Sequence, residues 1–175
     1  MNRDETAMDA PDGGPALFGG LGLYVCARVA RYRKLARELV RPEHVVIEVG
    51  AAEGHTTQYL AARAGRVIAI EKTTQCIQRA QKRCANQGDI TWLQVDAYEL
   101  GQVRKATDRA DMVFIDIGGS TRGWRVVKLA GMYRQMFRPS AMVLRNVGLN
   151  DLVAAVRGCE LGAPAGHWRE PHRDT

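Results

Sequence analysis

A β-branched run that stops at a glycine-bounded turn and passes straight into a helix constrains this chain more than any other feature: VVIEVGAAEGHTTQYL, Val45 to Leu60. Twenty-one residues beyond Gly50 a second apolar run, RVIAIEK, closes on Glu71. Strand, turn, helix and a strand ending in an acid make the first half of a nucleotide-binding βαβ unit. Gly50 and Gly54 bracket Ala51, Ala52 and Glu53, so small side chains let the backbone approach a ligand, and the helix behind offers its free N–H groups. Glu71, at the carboxyl end of its strand, is placed to accept both hydroxyls of a ribose. A dinucleotide site needs G-x-G-x-x-G; here Ala52 holds the second glycine position and His55 the third. Close approach to a pyrophosphate is therefore poorly provided for, which argues against NAD or FAD.

Three further strand-like segments follow. ITWLQVDAYEL ends in Asp96, ADMVFIDIGGS ends in Asp116 followed by Gly118 and Gly119, and PSAMVLRN supplies a fifth strand. Acids or glycines fall at the carboxyl strand ends, the edge where open parallel sheets bind ligands. With the ExGxxxG turn of Glu48, Gly50 and Gly54, these motifs, ordered from Val45 to Asn150, resemble the class I (Rossmann-like) S-adenosylmethionine-dependent methyltransferases. FIDIGG and VLRN look like a little-characterised group within that superfamily, a likeness that brings no known substrate.

The resemblance implies an α/β fold with a doubly wound, mostly parallel sheet, and S-adenosyl-L-methionine as cofactor. It implies cofactor contacts at Glu48, near the methionine amino group, and at Gly50, Ala51, Gly54, Glu71, Lys72, Asp96, Ala97 and Asp116, with Asp96 accepting from the adenine amino group. Asp116 ends the strand that carries the family's active site. It is the catalytic candidate, as base or orienting acceptor; a helix N-cap or purely cofactor-facing acid is the other reading. The sulfonium already activates the methyl group, so such an enzyme mainly holds a nucleophile in line and removes a proton where needed.

Absences narrow the chemistry. No Asn/Asp-Pro-Pro-aromatic sequence and no Pro-Cys motif follow the fourth strand, against amide or base N-methylation of the clamp type and against covalent pyrimidine methylation. Metal-dependent catechol-type O-methyltransferases have an acid at the place of Asp116 and an Asp-Asn pair after the fifth strand, which here reads Arg145-Asn146. A guanidinium in place of a carboxylate should disable a magnesium site, so metal-independent transfer is expected. Arg145 could instead take a substrate carboxylate or phosphate, or be a surface charge. The expected function is methyl transfer to an oxygen or nitrogen of a small-molecule substrate. The alternatives are an RNA or protein methyltransferase and a non-catalytic S-adenosylmethionine-binding partner subunit.

With 175 residues and 46% apolar content the chain supports one domain. Residues 1–16, acidic and without periodicity, read as a disordered leader, 17–162 as the domain and 163–175 as a polar tail. No secretory signal or transmembrane span is legible, and the four cysteines form no CxxC pair, so a cytoplasmic protein with reduced thiols is expected. Leu21 to Arg41 reads as an amphipathic helix with a basic arc. That arc is a solvated face or a surface for an anionic partner; the net charge of +6 keeps nucleic acid open, although no motif indicates it. Too little sequence follows the fifth strand for the family's final β-hairpin, which is expected to be missing or reduced. That strand should then be an edge, covered by the tail or by a second subunit in a homodimer. The acceptor pocket is left to the N-terminal helix and the loop from Gly118 to Trp124, where Trp124 could floor a planar substrate or pack at a helix start.

Overall fold

The computed structural model describes residues 16–18 and 20–158. Seven strands form one sheet in the order β1-β2-β7-β6-β3-β4-β5. They are β1 (Ala16–Phe18), β2 (Leu21–Cys26), β3 (Val45–Val49), β4 (Arg66–Ile70), β5 (Ile90–Leu93), β6 (Met112–Ile115) and β7 (Ala141–Arg145). All neighbours are parallel except β1 and β2. The helices are α1 (Val29–Leu39), α2 (Thr57–Ala61), α3 (Thr74–Arg83), α4 (Leu100–Ala106), α5 (Gly123–Phe137) and α6 (Val147–Gly158).

The central strands are nearly continuous apolar runs because both faces are covered. Ile47, Val49, Ile70, Val113 and Ile115 pack with Val103 of α4 and with Val126, Leu129 and Tyr133 of α5. Val46, Val67, Met112 and Phe114 face Tyr32, Leu35 and Ala36 of α1 and Leu60 of α2. Among the described residues no helix is long and apolar enough to cross a membrane.

Two expectations fail at the N-terminal side. The helix anticipated from Leu21 to Arg41 is two elements: Leu21–Cys26 is a strand, and the helix runs only from Val29 to Leu39. LGLYVC alternates as well as it spirals, and parallel pairing with β7, Gly22 opposite Ala141 through Cys26 opposite Arg145, decides the matter. β7 is consequently not an edge. β2 and then β1 cover the side where the tail or a second subunit was expected, so the reason for expecting a homodimer lapses. Ala16, assigned to the leader, begins β1; the rest of the leader, and the tail after Gly158, lie outside the described residues.

β3 lies between β6 and β4, while the chain leaves it towards β4 and returns later to β6. The carboxyl ends of β3 and β6 therefore flank the point where the strand order reverses, and a crevice opens there. Gly50 follows β3 with φ of +87°, and a Cβ on it would stand 2.0 Å from the Asp116 carbonyl oxygen. Only glycine satisfies both conditions.

Candidate active site

At the switch point the structure brings Gly50, Glu71, Lys72, Asp96, Ala97 and Asp116 to the wall of one cleft of about 260 Å³. Glu48, Ala51 and Gly54 do not line it; they build its floor from behind. The Gly50 and Ala51 N–H groups both donate to the Ile70 carbonyl, at 3.0 and 2.9 Å, tying the turn to the end of β4. Ala52, at the place of the second glycine of a dinucleotide motif, is held in the left-handed region (φ 46°), and its N–H donates to Glu71 Oε2 at 3.0 Å. The Thr73 N–H donates to Glu71 Oε1 at 2.8 Å, so both carboxylate oxygens are oriented from the backbone. Gly54 packs against Ala80, and the Glu53 carboxylate turns away to Arg79 at 2.6 Å, beside exposed His55.

On the next strand end, Asp96 Oδ1 accepts from the Tyr98 N–H at 3.0 Å, and the Tyr133 hydroxyl donates to the Ala97 carbonyl at 2.9 Å. Burial holds that Tyr133 hydroxyl protonated by raising its pKa, with Asp96 adding to the effect. Ile70, Val95, Ile117 and Leu129 supply apolar walls. An acid fixed for a ribose, a second acid beside apolar walls for a purine, and a turn whose backbone is exposed by Gly50 fit an adenosine-containing cofactor.

Asp116 and Arg145 close the far end. One guanidinium nitrogen, Nη1, donates to both Asp116 carboxylate oxygens at 3.1 Å, and the Gly118 N–H donates to Oδ1, also at 3.1 Å. Arg145 is neither a surface charge nor aimed outward: its side chain is 6% exposed, and a Cβ on Gly119 would meet its guanidinium at 2.7 Å. Asn146 spans the same loop, donating to the Thr121 carbonyl at 2.6 Å and accepting from the Leu149 N–H at 2.9 Å.

Glu48 lies beneath the turn, 2% exposed, with the Thr57 hydroxyl donating to Oε2 at 2.6 Å. Burial raises its carboxyl from the ordinary 4.5 to about 7; the Thr57 hydrogen bond opposes this, Asp116 adds to it, and Arg33 offsets it. Gly118 and Thr121 of the loop expected to border the acceptor also line the cleft, as do Tyr98, Arg125 and Leu129, which the sequence did not single out. The one available signal was Arg125 and Leu129 four apart on the helix after the Gly118-Gly119 loop, a spacing that shares a face. Trp124 is not packed at the helix start but stands 59% exposed.

Residues 46–138, just over half of the chain, match the family described as "Methyltransferase domain". The chain belongs to that family, and its cofactor is S-adenosylmethionine. Solved structures agree in fold. An rRNA methylase from Streptococcus thermophilus has a TM-score of 0.55 at 10% identity, over 74% of this chain and 78% of that one. The N-methyltransferase NodS from Bradyrhizobium japonicum has a TM-score of 0.50 at 17% identity, over 62% and 59%. A Streptococcus mutans protein in complex with SAH has a TM-score of 0.51 at 9% identity, over 62% and 65%. These likenesses carry the fold alone. No curated protein matches in sequence.

Proposed function

We propose that the chain transfers a methyl group from S-adenosylmethionine to an oxygen or nitrogen nucleophile without a metal ion. The observation that carries this reading is the Asp116–Arg145 pair at the end of a cleft whose other acids, Glu71 and Asp96, suit ribose and adenine. The bound cofactor supplies a methyl group already activated on a sulfonium. Glu71 and Asp96 suit its ribose and its adenine at neighbouring strand termini, Lys72 and Ala97 border it, and Gly50 with Ala51 and Gly54 shape the turn beneath it. Glu48, behind the turn, favours a nearby ammonium once it is ionised, and that cation in turn promotes its ionisation.

Asp116 works as an orienting acceptor rather than as a strong base. Its carboxylate is fixed by Arg145 and the Gly118 N–H, so it can direct the acceptor's O–H or N–H and turn a lone pair towards the methyl group. Arg145 puts a fixed positive charge against both Asp116 oxygens, where a divalent ion would otherwise bind, and repels such an ion. Compactness alone favours a small-molecule acceptor; the basic rim of the cleft favours one that carries negative charge.

The test has two parts. S-adenosylhomocysteine should raise the melting temperature where NAD does not, and methyl transfer should survive excess EDTA. Stabilisation by NAD alone, or activity abolished by EDTA and restored by magnesium, would refute the reading.

A further inference from the structure

The positive charge of this chain is not spread evenly. From Ile117 to Asn150 there are six basic residues, Arg122, Arg125, Lys128, Arg134, Arg138 and Arg145, and no acidic one; the remainder of the chain has 19 basic against 19 acidic residues. The whole net charge of +6 thus resides in the segment built around α5. The basic arc of α1, by contrast, contains an acid and lies away from the cleft: Glu38 is 3.8 Å from Arg31 and 3.6 Å from Lys34, and no α1 residue lines the cleft.

The first turns of α5 form one rim of the cofactor cleft. Arg125 lines the cleft itself, and its guanidinium also lies 6.0 Å from the ring centre of Trp124. Lys128, one turn on, places its ammonium 5.5 Å over the ring of Tyr98, another cleft residue. Arg122 is exposed just before the helix and has no ion pair among the described residues. Trp124 presents most of its surface to solvent among these cations. The acids close by, Asp96 and Asp116, are turned to the Tyr98 N–H and to Arg145. An aromatic platform flanked by cations, at the mouth of a methyl-donor cleft, fits a ligand with a planar face and regularly spaced negative charge.

We propose that the methyl acceptor is presented by single-stranded RNA docked on this rim, with a base stacked on Trp124 and phosphates held by Arg122, Arg125 and Lys128. This rests on the methyl-transfer reading and names its substrate class. RNA loops and ends offer unstacked bases without opening a duplex, and stacking on tryptophan is tolerant of sequence. An acidic protein would satisfy the cations but leave the tryptophan without a planar partner.

The experiment uses the full chain and a fluorescein-labelled single-stranded RNA of roughly 12 nucleotides, with binding followed by anisotropy across a salt series. W124A should weaken binding roughly 5- to 150-fold while binding S-adenosylhomocysteine as the parent does. Removing three phosphate contacts in the R122Q/R125Q/K128Q protein should flatten the log–log salt slope by about 2. The R37Q/R41Q/R63Q protein, altered at the C-terminal ends of α1 and α2 and just beyond them, should keep the parental slope. Failure of the parent to bind RNA at low salt, equal effects of the two triple variants, an unchanged affinity in W124A, or tighter binding to polyglutamate than to RNA would each overturn the proposal. A parent that binds RNA but not S-adenosylhomocysteine would sink the methyltransferase reading and leave the docking surface standing.

Discussion

Glu48→Gln tests the electrostatics under the cofactor turn. In the native state the Glu48 carboxyl titrates at about 7, against 4.5 in an exposed chain, chiefly because it is fully buried. Between these two values the folded protein still holds the proton that the unfolded chain has released. Stability therefore falls as pH rises from about 4.5 to about 7 and stays reduced above that. At about 1.4 kcal/mol per pKa unit, the native state loses about 3 kcal/mol at pH 8 relative to pH 4. Glutamine occupies the same space, accepts the Thr57 hydrogen bond and does not titrate.

Urea unfolding of the parent and of E48Q at pH 4 and at pH 8 reads this directly. Every other titrating group is common to both proteins, so the gap between them isolates Glu48. The gap should shift by about 3 kcal/mol in favour of E48Q on going from pH 4 to pH 8. A constant offset would reflect amide against carboxyl packing and has no bearing on the argument. A gap that is the same at both pH values would refute it, and would mean that Glu48 is solvated in the native state.

Further outcomes follow from the same geometry. Glu71→Ala should weaken S-adenosylhomocysteine binding by about 1–3 kcal/mol, measured by calorimetry; an unchanged affinity would move the ribose contact elsewhere. Gly50→Ala should cost on the order of 3 kcal/mol or more in thermal unfolding, since the new Cβ would overlap the Asp116 carbonyl oxygen at a positive φ; a stable, cofactor-binding variant would show that the turn can relax. Asp116→Asn should slow turnover more than it weakens cofactor affinity, because orientation of the acceptor matters in the transition state. Full activity in that variant would mean that proximity to the methyl group is sufficient.

The parts of the fold that were legible are those where local pattern and tertiary environment agree. VVIEV, VIAI and MVFI are apolar but for Glu48 because both faces of the sheet are covered, and the turns after the first and the last are specified by glycine. Gly50, Glu71 and Asp116 were readable from strand ends alone. Arg145 was visible as a departure from a metal-binding pattern, but its burial was not: a guanidinium at a strand end reads as a surface charge until Gly119 is seen to make room for it. For Trp124 two readings were open, a floor for a planar substrate or packing at a helix start, and only the packing reading fails. Its place at a helix start suggests packing, yet Val126 and Leu129 take the core-facing positions of that helix and leave the indole outside.

The segment from Leu21 to Arg41 was the hardest to read, and it links the edge of the sheet to the site. Its apolar residues satisfy a helical period over the whole stretch, and nothing local distinguishes the first turns from the rest. The distinction comes from β7, whose open backbone groups pair with Leu21–Cys26 more profitably than a lone helical turn could with itself. Once that strand is fixed, α1 must cross over β7 and β6 to reach β3, and Tyr32 lands edge-on against Phe114 at 5.5 Å. The same crossing brings Arg33 within 3.5 Å of the Thr56 hydroxyl and within electrostatic reach of Glu48. The strand that seals the edge thus also delivers the helix that buries Glu48. Weakening the β2–β7 pairing with Tyr24→Pro, whose N–H faces β7 as that of Gly22 does, should then lower the Glu48 carboxyl towards its ordinary value by admitting water; the loss of stability between pH 4 and pH 8 should shrink, and an unchanged loss would mean that the edge frays without reaching Glu48.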